Sequence, residues 1–156
     1  MAVTLQAPIP YNLKTSIIQI HSYDEKQLKG TLQNSYYDQK MPFENLIQLL
    51  FLIESMLNDL GLPQKSMESR TFFNHPLVPA VPHTTQNGQR NHVSPPLATF
   101  VISIVFRQHA SWQGTIIWKE QEMECHFRSV LELVLLMDNV LTAPFQKQAA
   151  SRAKYQ

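Results

Sequence analysis

Two stretches of the chain alternate apolar and polar residues and then change to a helical spacing. Residues 100–106 form a β-branched and aromatic run, and residues 112–119 place two tryptophans, a glycine and an isoleucine at every second position. A period of two is typical of strands that bury one face. The pattern predicts strands at residues 16–23, 28–34, 100–106 and 112–119, with a shorter one at 122–126 whose counterpart ends at Met41.

Both stretches close with a predicted helix. Apolar residues recur with the i, i+3, i+4, i+7 spacing of one helical face, from Phe43 through Ile47 to Leu60 and again from Phe127 to Leu141. Pro42 suits a first helical turn, and Gly61 is a stop signal. Helices this apolar are expected to pack against a sheet and against each other.

The two stretches correspond to each other without a gap. Residues 16–64 lie over residues 100–148 at a constant offset of 84, which places Gly30 on Gly114 and Phe43 on Phe127. This register predicts an internal duplication. The expected fold class is therefore α+β, with duplicated β-β-(β)-α units forming a pseudo-twofold antiparallel sheet and two packed helices.

A single domain with four segments follows from this register. We expect a first repeat at 15–64, a Pro-rich insert at 65–98, a second repeat at 99–146 and a basic tail at 147–156. Five of the ten prolines fall between Pro76 and Pro96, which is typical of a long connection. A short strand at 69–73 could still pair with the core, and the order of the insert is left open.

Composition limits the class of protein. The chain has 156 residues, 44% of them hydrophobic and 16% charged, which suits one folded domain. Its single cysteine, Cys125, cannot form an internal disulfide, and no run has the length and apolarity of a signal peptide or a membrane span. We therefore expect a soluble, cytoplasmic protein that does not engage membranes. Because a duplication can replace a homodimer interface, a monomer is expected.

Catalytic and metal-binding patterns are missing from the sequence. The six histidines have no pair at i, i+4 on a predicted helix, and Cys125 lacks a partner at zinc-ligand spacing, so no metal and no cofactor are predicted. Cys125 is expected to fill core space. Phosphate loops and nucleophile elbows are also absent, and four glycines leave little material for a phosphate cradle. An enzyme is therefore not expected.

The sheet face opposite the helices is the predicted binding face, because cations and aromatic rings on an open sheet can hold phosphates and stack bases. Its candidate residues are His21, Tyr23, Lys29, Arg107, Gln113 and Lys119. Trp112 and Trp118 share their phase with Ile116 and are expected in the core.

The net charge of +1 conceals an uneven distribution. Residues 1–62 carry four basic and six acidic side chains, and residues 98–146 carry three and five, so both repeats are acidic. Positive charge collects in the insert and in the tail, at Lys147, Arg152 and Lys154. An acidic scaffold weakens the case for nucleic-acid binding by the sheet, because phosphate neutralisation dominates that affinity.

The second stretch also resembles a known group. Residues 106–116, 127–133 and 136–138 are similar to those of short uncharacterised proteins from anaerobic Gram-positive bacteria. The resemblance implies no activity, and no functional residue is carried over from it.

These observations predict a non-enzymatic protein-interaction module, with another protein as its partner. Such a module could serve as a small regulator or inhibitor of a larger macromolecular complex. The alternative is a nucleic-acid-binding regulator that uses the open sheet face and the basic tail. A third class, an enzyme or ligand-binding protein with its site between the repeats, stays open.

Overall fold

The computed structural model describes residues 15–37, 39–75, 77, 79 and 94–143, and it confirms the α+β class. Six strands form one antiparallel sheet and two helices accompany it. The strands are β1 (Thr15–Asp24), β2 (Gln27–Gln33), β3 (Met41–Phe43), β4 (Ala98–Phe106), β5 (Gln113–Trp118) and β6 (Met123–Phe127), and the helices are α1 (Leu46–Leu60) and α2 (Val130–Leu141).

The sheet is symmetric about the seam between β1 and β4. The strand order is β3-β2-β1-β4-β5-β6, so each half runs outward from the seam in its own chain order. Within the seam Ile17 lies opposite Val101, and these two positions are 84 residues apart. Equivalent residues therefore pair at a pseudo-twofold axis. A common origin of the two halves stays a prediction.

One face of the sheet carries the core. The buried side chains of neighbouring strands lie opposite each other, as Ile18 does with Leu32 and with Phe100. Leu49, Leu52, Ile53, Met56 and Leu57 of α1, together with Leu133 and Met137 of α2, belong to the same apolar cluster. Trp112 and Trp118 are buried in it, as their phase predicted.

Two strand glycines allow the strands to approach closely. A Cβ atom at Gly30 would collide with the carbonyl oxygen of Gln19, and one at Gly114 would collide with that of Ser103. Both glycines also lie opposite the phenylalanine that ends the neighbouring edge strand, Phe43 or Phe127. The glycines are therefore required by space within the sheet.

Both helices begin later than the sequence predicted. Pro42 and Phe43 belong to β3, so the expectation that Pro42 opens the helix is wrong. The Asn45 side chain instead accepts a hydrogen bond from the Gln48 backbone N–H, and Ser129 does the same for Glu132 at the start of α2. Gly61 ends α1 in the left-handed conformation, which confirms the predicted stop.

The segment after α1 contains no strand at 69–73, so that expectation is also wrong. Instead, Lys65 forms an isolated parallel bridge with Arg107 at the end of β4. The remainder of the predicted insert lies largely outside the described residues, and the basic tail with Lys147, Arg152 and Lys154 lies wholly outside them. Neither described helix combines the length and the apolarity needed to cross a membrane.

Candidate interaction surfaces

A bulge interrupts the alternation of each central strand. The register shifts between Ile20 and Ser22 in β1 and between Ile104 and Phe106 in β4. A bulge inserts one residue, so the side chains beyond it change faces relative to a strict alternation. For this reason Tyr23 and Arg107 lie on the helix side of the sheet, and their predicted place on the open face is wrong.

Arg107 is enclosed by the end of α1 and the segment that follows it. Only 5% of its surface is exposed. Its Nε donates to the Pro63 carbonyl at 2.7 Å, and its Nη1 donates to Asn58 Oδ1 at 2.7 Å. Burial lowers the pKa of Arg107, whereas the negative charge of Glu54 opposes that change. The guanidinium is thus occupied within the fold rather than presented to a ligand.

Glu54 of α1 joins three groups at this end of the molecule. It lies 3.5 Å from the guanidinium of Arg107 and 2.9 Å from Lys65 Nζ. It also accepts a 2.8 Å hydrogen bond from the indole N–H of Trp112. Because Arg107 and Trp112 belong to the second half, Glu54 ties the first helix to the strands of that half.

Tyr23 occupies the equivalent place at the other end. Its hydroxyl donates to Asp138 of α2 at 2.5 Å, and Lys26 Nζ lies 2.5 Å from the same carboxylate oxygen. Burial, followed by the hydrogen bond to Asp138, raises the pKa of Tyr23 to about 12. The hydrogen bonds from Lys26 and Tyr23 lower the pKa of Asp138. This second tie joins the first half to the helix of the second half.

The remaining predicted binding residues are dispersed. Lys29 pairs with Ser22 on the open face and lies 3.7 Å from Glu44, whereas His21 sits in the β1 bulge. The Gln113 side chain donates to the carbonyls of Gln108 and Arg128. Lys119 belongs to the 3₁₀ turn Lys119–Gln121, not to a strand. The six candidates therefore do not form one site.

The open sheet face has an uncharged centre. Ile17, Val101 and Ile117 form a cross-strand row at the pseudo-twofold axis, and all three are half-buried. Hydroxyl and amide side chains flank this row, namely Thr15, Gln19, Thr31, Gln33, Ser103 and Thr115. Lys40 Nζ donates to Gln19 Oε1 at 3.1 Å, so a cation lies beside this row rather than within it.

A set of large apolar side chains is exposed on the helices. Ile47 and Phe51 of α1 are 63% and 42% exposed, and Leu131 and Leu135 of α2 are 67% and 57% exposed. We call these four residues the helix patch. The prediction that Ile47 belongs to the buried stripe is wrong. The available signal was that both helices carry more apolar residues than one buried face can hold.

The edge strand β6 is also open to solvent. Cys125 is exposed, which overturns the expectation that it fills the core. It lies opposite Ile116 and so has the buried phase, but the helix layer does not extend over it. Met123, in the same phase, is 61% exposed. Within the described part of the chain, no group of His, Cys, Asp and Glu residues is arranged to hold a metal ion.

Comparison of the chain with models of known protein families, with curated proteins and with solved structures gave no significant match. The resemblance noted in the second stretch stays a prediction.

Proposed function

We propose that this protein is a non-enzymatic interaction module that binds another protein through the helix patch. The observation that carries the proposal is the exposure of large apolar side chains at equivalent positions of both helices. Exposed apolar groups that lie close together are favourable to bury and commonly mark protein interfaces. Regulation or inhibition of a larger macromolecular complex is the role that we propose for such a module.

The helix patch is directed toward the middle of the helix layer. Residues seven apart on a helix are about two turns apart and share a face. Ile47 thus shares its face with Glu54, which reaches Trp112 of the other half, and Leu131 shares its face with Asp138, which reaches Tyr23. The two exposed pairs therefore flank the pseudo-twofold axis, where one partner could contact both.

The chemistry of the patch fits an amphipathic helix of the partner protein. Such a helix places apolar residues at i, i+3, i+4 and i+7 into an apolar surface that two helices provide. Glu44, which precedes α1, is exposed near the Ile47 end of the patch, so a basic residue beside the apolar stripe of the partner would be favoured there.

The nucleic-acid alternative stays a prediction with weaker support. Of the six candidate residues of the sheet face, Tyr23 and Arg107 are engaged with helix residues. Lys29 is close to Glu44, so its charge is partly compensated. On the open face Lys40 is engaged with Gln19, and the row around Val101 is apolar.

The experiment compares the wild type with Ile47→Glu/Leu131→Glu. Proteins that crosslink to the wild type in native lysate are identified. The partner is then purified and its binding is measured by calorimetric titration. The double variant is expected to lose binding, because two charges enter an apolar contact. The matched control is Gln33→Glu, which adds a charge at an exposed position of β2 on the sheet face opposite the helices.

Two results would contradict the proposal. One is a purified partner that binds the double variant as tightly as it binds the wild type. The other is micromolar binding of single-stranded or duplex probes at low salt that is weakened by Lys29→Ala and Lys119→Ala, which would favour the nucleic-acid alternative.

A further inference from the structure

The edge strand β6 carries a second interaction surface that is separate from the helix patch. It lies at one end of the sheet, and its residues Met123 to His126 are all exposed. An edge strand presents unpaired backbone N–H and C=O groups that another strand can bind. The question is which strand would fit this edge.

We propose that β6 pairs in antiparallel orientation with β6 of a second copy of this chain, with Cys125 opposite Cys125. The sequence from Glu122 to Arg128 is complementary to itself when reversed, since its acids precede Cys125 and its basic side chains follow it. In this register Glu124 faces His126 of the second copy.

The phases of the side chains agree with this register. Glu124 lies opposite Ile117 and His126 lies opposite Thr115, so both project from the open face of the sheet. Met123 and Phe127 share the helix side, where Met123 is exposed and Phe127 is buried in the core of its own copy. The carboxylate of Glu124 therefore meets the imidazole of His126 on the open face, and such cross-strand polar pairs stabilise antiparallel sheets.

The same charges explain why other strands are disfavoured. In a parallel pairing of two copies Glu124 would lie beside Glu124, and carboxylates on an edge repel strands that lack matching cations. The antiparallel copy is the arrangement in which the acid of β6, Glu124, meets the imidazole of His126. The charges therefore select a partner instead of only preventing association.

The opposite edge of the sheet does not offer a comparable strand. β3 contains three residues, and the central one, Pro42, lacks an N–H group. Pairing through β6 therefore closes after two copies and yields one continuous sheet of twice six strands. This departs from the monomer expected from the sequence. Because a short strand buries a small area, the dimer is expected to be weak and to form in the micromolar to millimolar range.

Sedimentation equilibrium from about 10 µM to about 1 mM measures the association. His126→Glu places two carboxylates opposite each other twice in the dimer, and Glu124→Lys removes the acceptor that faces His126, also twice. Each is expected to weaken dimerisation about tenfold or more. Glu124→Lys/His126→Glu reverses both charges and is expected to restore it. Glu44→Lys, with the same charge change away from β6, should leave it unaltered.

Cys125 provides an independent readout, because it is the sole cysteine of the sequence. Mild oxidation is expected to crosslink the wild type rapidly. A variant in which the cysteine is moved, Cys125→Ser/Gln33→Cys, should crosslink far more slowly, since Gln33 is exposed but distant from the β6 edge. A monomer over the whole concentration range would overturn the proposal. So would a double charge variant that is no better than the single variants, or equal crosslinking rates.

Discussion

Tyr23 and Arg107 occupy equivalent positions in the two halves, and each side chain crosses to the helix of the other half. Tyr23 reaches Asp138, whereas Arg107 reaches Asn58 and lies near Glu54. Glu54 and Asp138 are themselves 84 residues apart. The halves are therefore joined by two reciprocal ties in addition to the β1–β4 seam. Several predictions about stability depend on these ties.

Arg107→Ala is expected to destabilise the protein by about 3 kcal/mol, because it removes a buried side chain together with its hydrogen bonds to Pro63 and Asn58. Denaturant unfolding measures the loss. Arg128→Ala is the matched control, since Arg128 is exposed and bonds Glu132 one helical turn away. Its loss should change stability far less than Arg107→Ala does, because solvent screens an exposed pair. Equal losses for the two variants would contradict the structural role of Arg107.

The loss of stability caused by Arg107→Ala should depend on whether Glu54 is present. In an Arg107→Ala background, Glu54→Ala is expected to cost less than in the wild type, because the partner charge is already gone. A double-mutant cycle from four unfolding curves measures this coupling. Additive losses would show that the 3.5 Å approach of the two side chains contributes nothing to stability.

Tyr23 makes stability sensitive to alkaline pH. Its folded pKa of about 12 lies above the ordinary value of 10, so the unfolded chain releases this proton first. The contribution is fully present below pH 10 and is lost as the pH rises toward 12. Tyr23→Phe should reduce this slope in unfolding curves measured between pH 9 and about 12. Tyr37→Phe should reduce the slope in the same pH range, because burial raises the pKa of Tyr37 to about 12 as well. An unchanged slope in Tyr23→Phe would contradict the assignment.

Asp138 is expected to make the free energy of unfolding depend on pH in the acidic range. Its folded pKa lies below the ordinary value of 3.8 because of the hydrogen bonds from Lys26 and Tyr23. The stability that it contributes is present above the unfolded value and is lost as the pH falls through the folded value. Asp138→Asn is expected to be less stable at pH 7 and to show a shallower loss of stability below about pH 4. Urea unfolding at several pH values provides the test, with Asp59→Asn as the control.

Substitution of either strand glycine by alanine is expected to destabilise the protein. Gly30→Ala and Gly114→Ala should each cost about 3 kcal/mol, because the added methyl collides with a backbone carbonyl that cannot turn away. Gly61→Ala provides a contrast, since open space surrounds Gly61 and only its positive φ is unfavourable. Its cost should be about 1 kcal/mol. Thermal unfolding ranks the three variants, and a larger loss at Gly61 would contradict this explanation.

The fold class could be predicted because periodicity records which side chains are buried. The alternation around Trp112 and Trp118 correctly located their strand and their burial. The bulges at Ile20 and Ile104 could not be predicted, because an extra residue in a strand has no distinct composition in a single sequence. This is why Tyr23 and Arg107 were assigned to the wrong face.

The candidate surfaces were harder to predict than the fold, since exposure depends on how far a neighbouring element extends. The phase of Cys125 was right, but no pattern within β6 states that the helix layer ends before it. Likewise, an apolar residue such as Ile47 has the same sequence signal in a core as on an interface. The fold decides between those two cases.

The pairing of Ile17 with Val101 has a consequence for how such a molecule can be assembled. A seam that joins equivalent positions is an isologous contact, in which each side offers the other the same surface. One half alone would therefore expose an edge that matches a second copy of itself, with Ile17 against Ile17. The backbone pairing of β1 with β4 aligns the seam, and the covalent link between the halves does not. If the chain were cut between α1 and β4, the two parts would therefore still pair in the same register.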